Sequence, residues 1–118
     1  MEARQRYLAW LEDPLVDGDA KAELRDIVHH EQEIEDRFFK WLEFGTGGLR
    51  GTVGIGSNRM NVYTVRLVTQ ALANYLKDRG RAEGGVAIAY DSRRMSREFT
   101  ETAAGVLVAN RIPVYVFS

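Results

Sequence analysis

Two short apolar runs separated by one amphipathic helix occupy the second half of the chain, and this order constrains the fold more than any other feature. Residues 86–90 and residues 113–117 each have the length and the apolar content of a strand that is buried on both faces. Between them, Ser96 can cap a helix whose apolar residues recur at helical spacing: Phe99, Ala103, Val106 and Leu107. Strand, helix and strand with short connections predict parallel strands and a right-handed crossover. The sequence therefore predicts an α/β fold.

The first third of the chain predicts three short helices. Their apolar stripes are Ala3, Tyr7, Trp10 and Leu11; then Leu24, Ile27 and Val28; then Ile34, Phe38, Trp41 and Leu42. Asp13 and Pro14 end the first helix, and Asp19 is the predicted N-cap of the second. Because such short segments build little core by themselves, we expect them to pack against a larger body.

A longer helix is predicted between these two regions. Asn61 or Thr64 can cap it, and it should end near Gly80. The residues on its predicted apolar face are Val65, Val68, Leu72, Tyr75 and Leu76.

Between the short helices and this longer one, residues 45–56 contain six glycines in twelve positions. The first part, residues 45–51, reads Gly-Thr-Gly-Gly-Leu-Arg-Gly. Glycines expose backbone N–H groups and let an anion approach the main chain, Arg50 adds a forked cationic donor, and Thr46 adds a hydroxyl. These residues indicate a phosphate site. A glycine-rich turn with Arg50 in a surface salt bridge explains the residue types equally well.

Two common nucleotide motifs are excluded by inspection. A dinucleotide fingerprint that starts at Gly45 requires glycine where Arg50 stands, and a Walker loop requires a Gly-Lys-Ser/Thr triplet that the chain lacks. The net charge of −1 predicts no attraction to nucleic acid or to an anionic membrane, so a phosphate site must be local. No apolar run approaches the length of a membrane span, and the absence of cysteine is compatible with a reducing cytoplasm.

No metal site is predicted in this chain. Residues 17–19, Asp-Gly-Asp, look like the start of a metal loop, but Lys21 stands where a third carboxylate would be needed, so a turn with a helix cap is preferred. His29 and His30 lack the spacing to chelate from one helix face, and the charged residues 31–37 are interpreted as a solvated face. Trp10, Trp41 and the other aromatic residues of the first third are interpreted as packing residues.

Three ordered blocks of the sequence resemble the opening of the α-D-phosphohexomutases. They are Phe-Gly-Thr-Gly-Gly-Leu-Arg-Gly at residues 44–51, Gly-Ser-Asn-Arg-Met-Asn-Val-Tyr-Thr-Val at residues 56–65, and Ala-Tyr-Asp-Ser-Arg-Arg-Met-Ser at residues 89–96. The phosphoglucomutase and phosphopentomutase branch is the most similar group. The helical first third resembles that branch as well, so the likeness extends over nearly the whole chain.

The resemblance implies a particular architecture and reaction. Residues 1–43 would be a helical preamble, and residues 44–118 an incomplete first domain with three α/β/α layers and a mixed, mostly parallel sheet. In this family a phosphorylated serine donates its phosphoryl group to a sugar phosphate, and a sugar bisphosphate is the intermediate and activator. Magnesium held by an Asp-Gly-Asp loop supports the transfer, but that loop is not expected within these 118 residues.

The resemblance also implies roles for six residues. Arg50 would stabilise charge on the transferred phosphoryl group, as the catalytic residue of this chain. Thr46, Gly47 and Gly48 would bind the phosphate of the same site. Asp91 and Arg93 match the Asp-x-Arg of the family at a strand end, where an ion pair would brace the cleft; contact with the substrate is the alternative.

One departure limits what the chain alone should do. The family's catalytic serine lies in a Thr-Ala-Ser-His-Asn-Pro type of loop, which does not occur here; Ser57, Ser92, Ser96 and Ser118 are in other contexts. We therefore expect the chain alone to be inactive as a mutase, to need the remaining domains of a parent enzyme, and to self-associate through uncovered sheet edges. A non-catalytic phosphate- or nucleotide-binding module, or a purely structural interaction fragment, is the alternative.

Overall fold

A computed structural model describes residues 2–45, 48–49, 51–89 and 96–117. The chain divides into two compact units, Met1–Thr64 and Val65–Ser118, which are described separately below. Within the described residues, no helix combines the length and the apolar character that crossing a membrane requires.

Three short helices build the core of the first unit. They are α1 (Glu2–Glu12), α2 (Gly18–Arg25) and α3 (Glu31–Phe38), in agreement with the predicted order. Each stripe contributes at least one completely buried residue to this core: Tyr7 from α1, Leu24 from α2, and Ile34 and Phe38 from α3. The expectation that these segments build little core of their own is therefore wrong. Large aromatic side chains on short helices bury enough area to form a cluster.

Aromatic rings contact one another within and beside this cluster. Phe38 meets Tyr7 edge-on at a centroid distance of 5.8 Å and Trp10 at 5.5 Å. Trp10 also contacts the rings of Trp41, at 6.5 Å, and Tyr63, at 5.8 Å. The interpretation of the tryptophans as packing residues is confirmed.

Three predicted helix ends are wrong. α2 ends at Arg25, so Ile27 and Val28 of its predicted stripe lie beyond the helix, and Val28 is exposed. The N-cap of α2 is Asp17, which has an extended backbone and accepts a 2.8 Å hydrogen bond from the Ala20 N–H. Asp19 cannot have this role because it already lies inside the helix. α3 ends at Phe38 and does not continue to Leu42, because the Arg37 carbonyl accepts the Asn58 N–H at 2.8 Å.

The Tyr7 hydroxyl donates a 2.6 Å hydrogen bond to the Leu24 carbonyl inside this core. Burial raises the pKa of Tyr7 above its ordinary value of 10.0. A raised pKa means that the folded state holds the proton more tightly, so this contribution to stability is present below pH 10.0 and is lost as pH rises further.

Tyr7→Phe should lower the free energy of unfolding by about 1–2 kcal/mol, because the Leu24 carbonyl loses its buried donor. In the wild type, part of the free energy of unfolding is lost above pH 10.0 as Tyr7 ionises, and Tyr7→Phe should abolish this part of the pH dependence. Denaturant unfolding at neutral pH and above pH 10 measures both effects. Tyr115→Phe is the matched control because Tyr115 is exposed, and an equal loss in that variant would contradict the assignment.

The second unit contains the predicted strand–helix–strand. Helix α4 (Val62–Asp78) begins in the first unit, and Asn61 caps it by accepting the Thr64 N–H at 2.9 Å. A 3₁₀ turn (Ala82–Gly84), strand β3 (Val86–Ala89), helix α5 (Ser96–Ala109) and strand β4 (Val114–Phe117) follow. β3 and β4 are parallel and in register from Val86 opposite Val114 to Ala89 opposite Phe117, so the prediction of parallel strands is confirmed. The chain is thus of the α/β class.

The prediction that both faces of these strands are buried is wrong for the described residues. Val86, Ile88 and Val114 pack beside the buried cluster of Ala73, Leu107 and Ile112. The alternate side chains Ala87, Ala89, Tyr115 and Phe117 are exposed, and so is Val116. Successive side chains of a strand point to opposite faces, and within the described part of this unit the apolar cluster lies on one face only. Tyr75, predicted on the apolar face of α4, is also exposed.

Candidate functional site

The glycine-rich segment begins as a tight hairpin. Strand β1 (Phe44–Gly45) pairs antiparallel with β2 (Gly48–Leu49), and Gly45 lies opposite Gly48. Of the predicted phosphate-binding residues, Gly48 therefore lies in β2. Thr46, Gly47 and Arg50 are outside the described residues, and so are Asp91 and Arg93. Their assigned roles stay predictions.

Residues 52–60, named here the docked loop, follow this hairpin. Its two ends are joined by hydrogen bonds from the Met60 N–H to the Thr52 carbonyl, at 2.8 Å, and from the Gly54 N–H to the Met60 carbonyl, at 3.2 Å. The buried amide of Asn61 donates to the carbonyls of Gly54, at 2.9 Å, and Gly56, at 3.0 Å. Asn61 thus caps α4 and holds the loop closed with the same side chain.

The docked loop also contacts the end of α3 and the residues that precede the hairpin. The Asn58 N–H donates to the Arg37 carbonyl, and the Ser57 hydroxyl donates to the Lys40 carbonyl at 2.7 Å. The Leu42 N–H donates to the Ser57 carbonyl at 2.7 Å. This last bond joins the backbone that precedes the hairpin to the docked loop that follows it.

Close packing explains one glycine of the segment. Gly56 has a φ of 146°. A Cβ added at Gly56 would lie 2.7 Å from the carbonyl oxygen of Arg37 and 2.9 Å from the Cβ of Arg37. Side chains rarely adopt this φ, and the backbone of α3 leaves no space for one. Gly56 therefore lets the docked loop approach α3, a role that the phosphate interpretation of the glycines did not include.

An ion-pair network holds the middle of the docked loop. Glu23 Oε2 accepts the Ile55 N–H at 2.9 Å and Arg37 Nη1 at 2.7 Å, while Arg37 Nη1 also donates to the Ile55 carbonyl at 3.1 Å. Arg37 Nε donates to Glu33 at 3.2 Å. The interpretation of residues 31–37 as a solvated face is wrong for Arg37, whose side chain is only 15% exposed. Sequence spacing could show its pairing with Glu33 but not with Glu23, 14 residues away.

The described residues include no group of three His, Asp, Glu or Cys side chains that could hold a metal ion. In the Asp-Gly-Asp sequence at residues 17–19, Asp17 instead caps α2 and accepts the Tyr63 hydroxyl at 2.9 Å. The Ala20 N–H and the Tyr63 hydroxyl lower the pKa of Asp17, in that order of importance. The helix-cap interpretation of this sequence is confirmed, with Asp17 as the capping residue.

Comparison with known proteins gives these features a context. Residues 41–118 match the family described as "Phosphoglucomutase/phosphomannomutase, alpha/beta/alpha domain I". The chain belongs to the phosphoglucomutase/phosphomannomutase family. The matched range contains the hairpin, the docked loop and both strands of the parallel pair.

Curated relatives agree with this family assignment. A phosphoglucomutase of Staphylococcus haemolyticus is 39% identical over 70% of this chain and 15% of its own length. A phosphopentomutase of Mus musculus is 32% identical over 96% of this chain and 19% of its own length. A phosphoglucomutase of Staphylococcus aureus is 35% identical over 79% of this chain and 17% of its own length. The chain thus spans less than a fifth of the length of these relatives. No solved structure matches it. The resemblance read from the three sequence blocks is confirmed.

Proposed function

We propose that this chain is the opening part of a phosphosugar mutase of the phosphoglucomutase and phosphopentomutase type. The observation that carries the proposal is the family match, which includes the hairpin and the docked loop. The proposal is also supported by relatives of both kinds, one named phosphoglucomutase and one named phosphopentomutase.

The proposed reaction is phosphoryl transfer from a phosphoserine outside these 118 residues. A hydroxyl of the sugar phosphate attacks the phosphorus and loses its proton, the bond from phosphorus to the serine oxygen breaks, and a sugar bisphosphate forms. The serine hydroxyl then loses its proton and attacks the phosphorus of the other phosphoryl group, and the bond from that phosphorus to the sugar oxygen breaks as this oxygen gains a proton. The serine is phosphorylated again, and the isomeric monophosphate is released.

Arg50 is the residue of this chain that we assign to the transfer. Negative charge in phosphoryl transfer spreads over the equatorial oxygens, and a guanidinium offers two parallel donors for such oxygens. Thr46, Gly47 and Gly48 would supply a hydroxyl and backbone N–H groups to the same phosphate. The pairing of Gly45 with Gly48 supports a compact site, because it brings the two ends of the Thr46–Gly47 connection together.

Asp91 and Arg93 are proposed to brace the same cleft. β3 ends at Ala89, so both residues follow the carboxyl end of a parallel strand. In open α/β sheets, ligands bind beyond these ends. An ion pair there would stabilise the wall of the site without contacting the transferred group.

The remaining parts of the proposal concern the whole protein. Residues 44–118 would belong to a first domain with three α/β/α layers, preceded by the helical preamble, and further domains would supply the phosphoserine and magnesium. We assign no magnesium ligand to this chain. The exposed side chains of β3 and β4 are the surface that the rest of the protein, or a second copy of the isolated chain, would cover. A cytoplasmic location fits a substrate of central carbohydrate metabolism.

The test is an assay of the full-length protein with a hexose 1-phosphate and a pentose 1-phosphate, followed by phosphorus NMR. We expect the phosphoryl group to move to the terminal carbon of at least one sugar, and we expect no turnover by residues 1–118 alone. A folded full-length protein that isomerises neither sugar but binds inorganic phosphate would instead support the non-catalytic phosphate-binding module.

A further inference from the structure

Glu23 and Arg37 together bind both backbone polar groups of one residue in the docked loop. Glu23 accepts the Ile55 N–H at 2.9 Å, and Arg37 donates to the Ile55 carbonyl at 3.1 Å. The two side chains are bonded to each other at 2.7 Å. The pair therefore contacts Ile55 much as a neighbouring strand would, although it comes from α2 and α3.

The position of Arg37 distinguishes this pair from an ordinary surface salt bridge. Its side chain is 15% exposed, and its backbone carbonyl is in turn bonded to Asn58. The side chain of Ile55 packs against the aromatic core of the first unit. The docked loop is thus held through side chain and backbone at the same place, and Glu23 is the acidic group on which Ile55 and Arg37 converge.

This place lies a few residues after the proposed phosphate site. Leu49 is paired with Phe44 in the hairpin, and the Leu42 N–H donates to the Ser57 carbonyl of the docked loop. Ile55 follows Arg50 by five positions in the sequence. Leu49, which precedes Arg50 in the sequence, and Ile55, which follows it, are therefore both held by described contacts, and Glu23 with Arg37 supplies those at Ile55.

We infer that Glu23 and Arg37 are positioning residues of the phosphoryl-transfer site, and that the helical preamble acts in catalysis by holding the backbone that follows Arg50. The inference rests on the proposed function of Arg50. The physical reason for the inference is that a hydrogen-bond donor aids phosphoryl transfer only when it is already in place. A displacement of such a donor by about 1 Å costs about 100-fold in rate.

Glu23→Ala in the full-length protein should lower kcat by about tenfold to 100-fold while changing KM for the sugar phosphate by less than about twofold. Glu31→Ala is the matched control. Glu31 belongs to the same helical unit and pairs with Arg4, but none of its described bonds reaches the docked loop. We expect kcat of the control to equal that of the wild type within about twofold.

Hydrogen exchange at the Ile55 amide gives a second readout that does not depend on activity. It should be faster in Glu23→Ala than in Glu31→Ala when both are folded, and trypsin should cleave faster after Arg50. Glu23→Gln keeps an acceptor oxygen without the charge and should fall between the wild type and Glu23→Ala in kcat and in exchange. This order in kcat among folded variants is not expected if the pair only adds stability.

The outcomes separate this inference from the proposed function. Suppose that the wild type is active and that Glu23→Ala folds. If Glu23→Ala then equals Glu31→Ala in kcat and in the exchange rate of the Ile55 amide, the positioning role alone is overturned. If Glu23→Ala does not fold, Glu23→Gln takes its place. The positioning role is then overturned if folded Glu23→Gln equals Glu31→Gln in kcat and in the exchange rate of the Ile55 amide. A wild-type protein without mutase activity would instead overturn the proposed function.

Discussion

Arg50→Ala in the full-length protein should lower kcat for sugar phosphate isomerisation by about two to three orders of magnitude, as removal of one charge-stabilising donor does in other enzymes. The reason is that the guanidinium would meet charge that develops in the transition state, so the loss should be larger in kcat than in binding of the ground state. Steady-state kinetics with a hexose 1-phosphate measures it. Circular dichroism should show an intact fold.

Two further variants make the result specific. Arg50→Lys keeps the positive charge but not the planar fork, so its kcat should lie between those of the wild type and Arg50→Ala. Arg97→Ala removes an exposed arginine whose described partner is Glu101 on the same helix, and it should leave kcat unchanged. If folded Arg50→Ala retains kcat within about twofold of the wild type, Arg50 has no part in the transfer.

Phe38→Ala should lower the stability of the first unit by about 3–5 kcal/mol. Phe38 is completely buried and touches Tyr7 and Trp10 of α1 edge-on, so truncation leaves a cavity between α1 and α3. Both tryptophans of the chain lie in this unit, so tryptophan fluorescence during denaturant unfolding reports on it. A loss of this size is comparable to the total stability of many small domains, so the variant should be partly unfolded without denaturant.

Phe39→Ala is the adjacent control. Phe39 is 47% exposed and follows the last residue of α3, so its truncation should change stability by less than about 0.5 kcal/mol. Equal losses in the two variants would show that the first unit is not organised around Phe38.

Several parts of the candidate site could be read from the sequence because they depend on neighbouring residues. The hairpin glycines, the arginine that follows them and the Asp-x-Arg after β3 are contiguous motifs, and three such blocks in order were enough to indicate the family. The network of Glu23, Arg37 and Ile55 could not be read in this way. Its members are 14 to 32 residues apart, and charged residues on a short helix look the same whether they face solvent or a loop.

Taken alone, the sequence determined the order of the helices, the parallel strand–helix–strand and membership of the mutase family. These follow from periodicity and local motifs, which each segment carries in itself. Only the tertiary structure decided that the three short helices share one aromatic core, that α3 ends at Phe38, and that Gly56 serves close packing against Arg37. Each of these depends on which distant segment satisfies a backbone group or fills a space, and that choice is made when the segments meet.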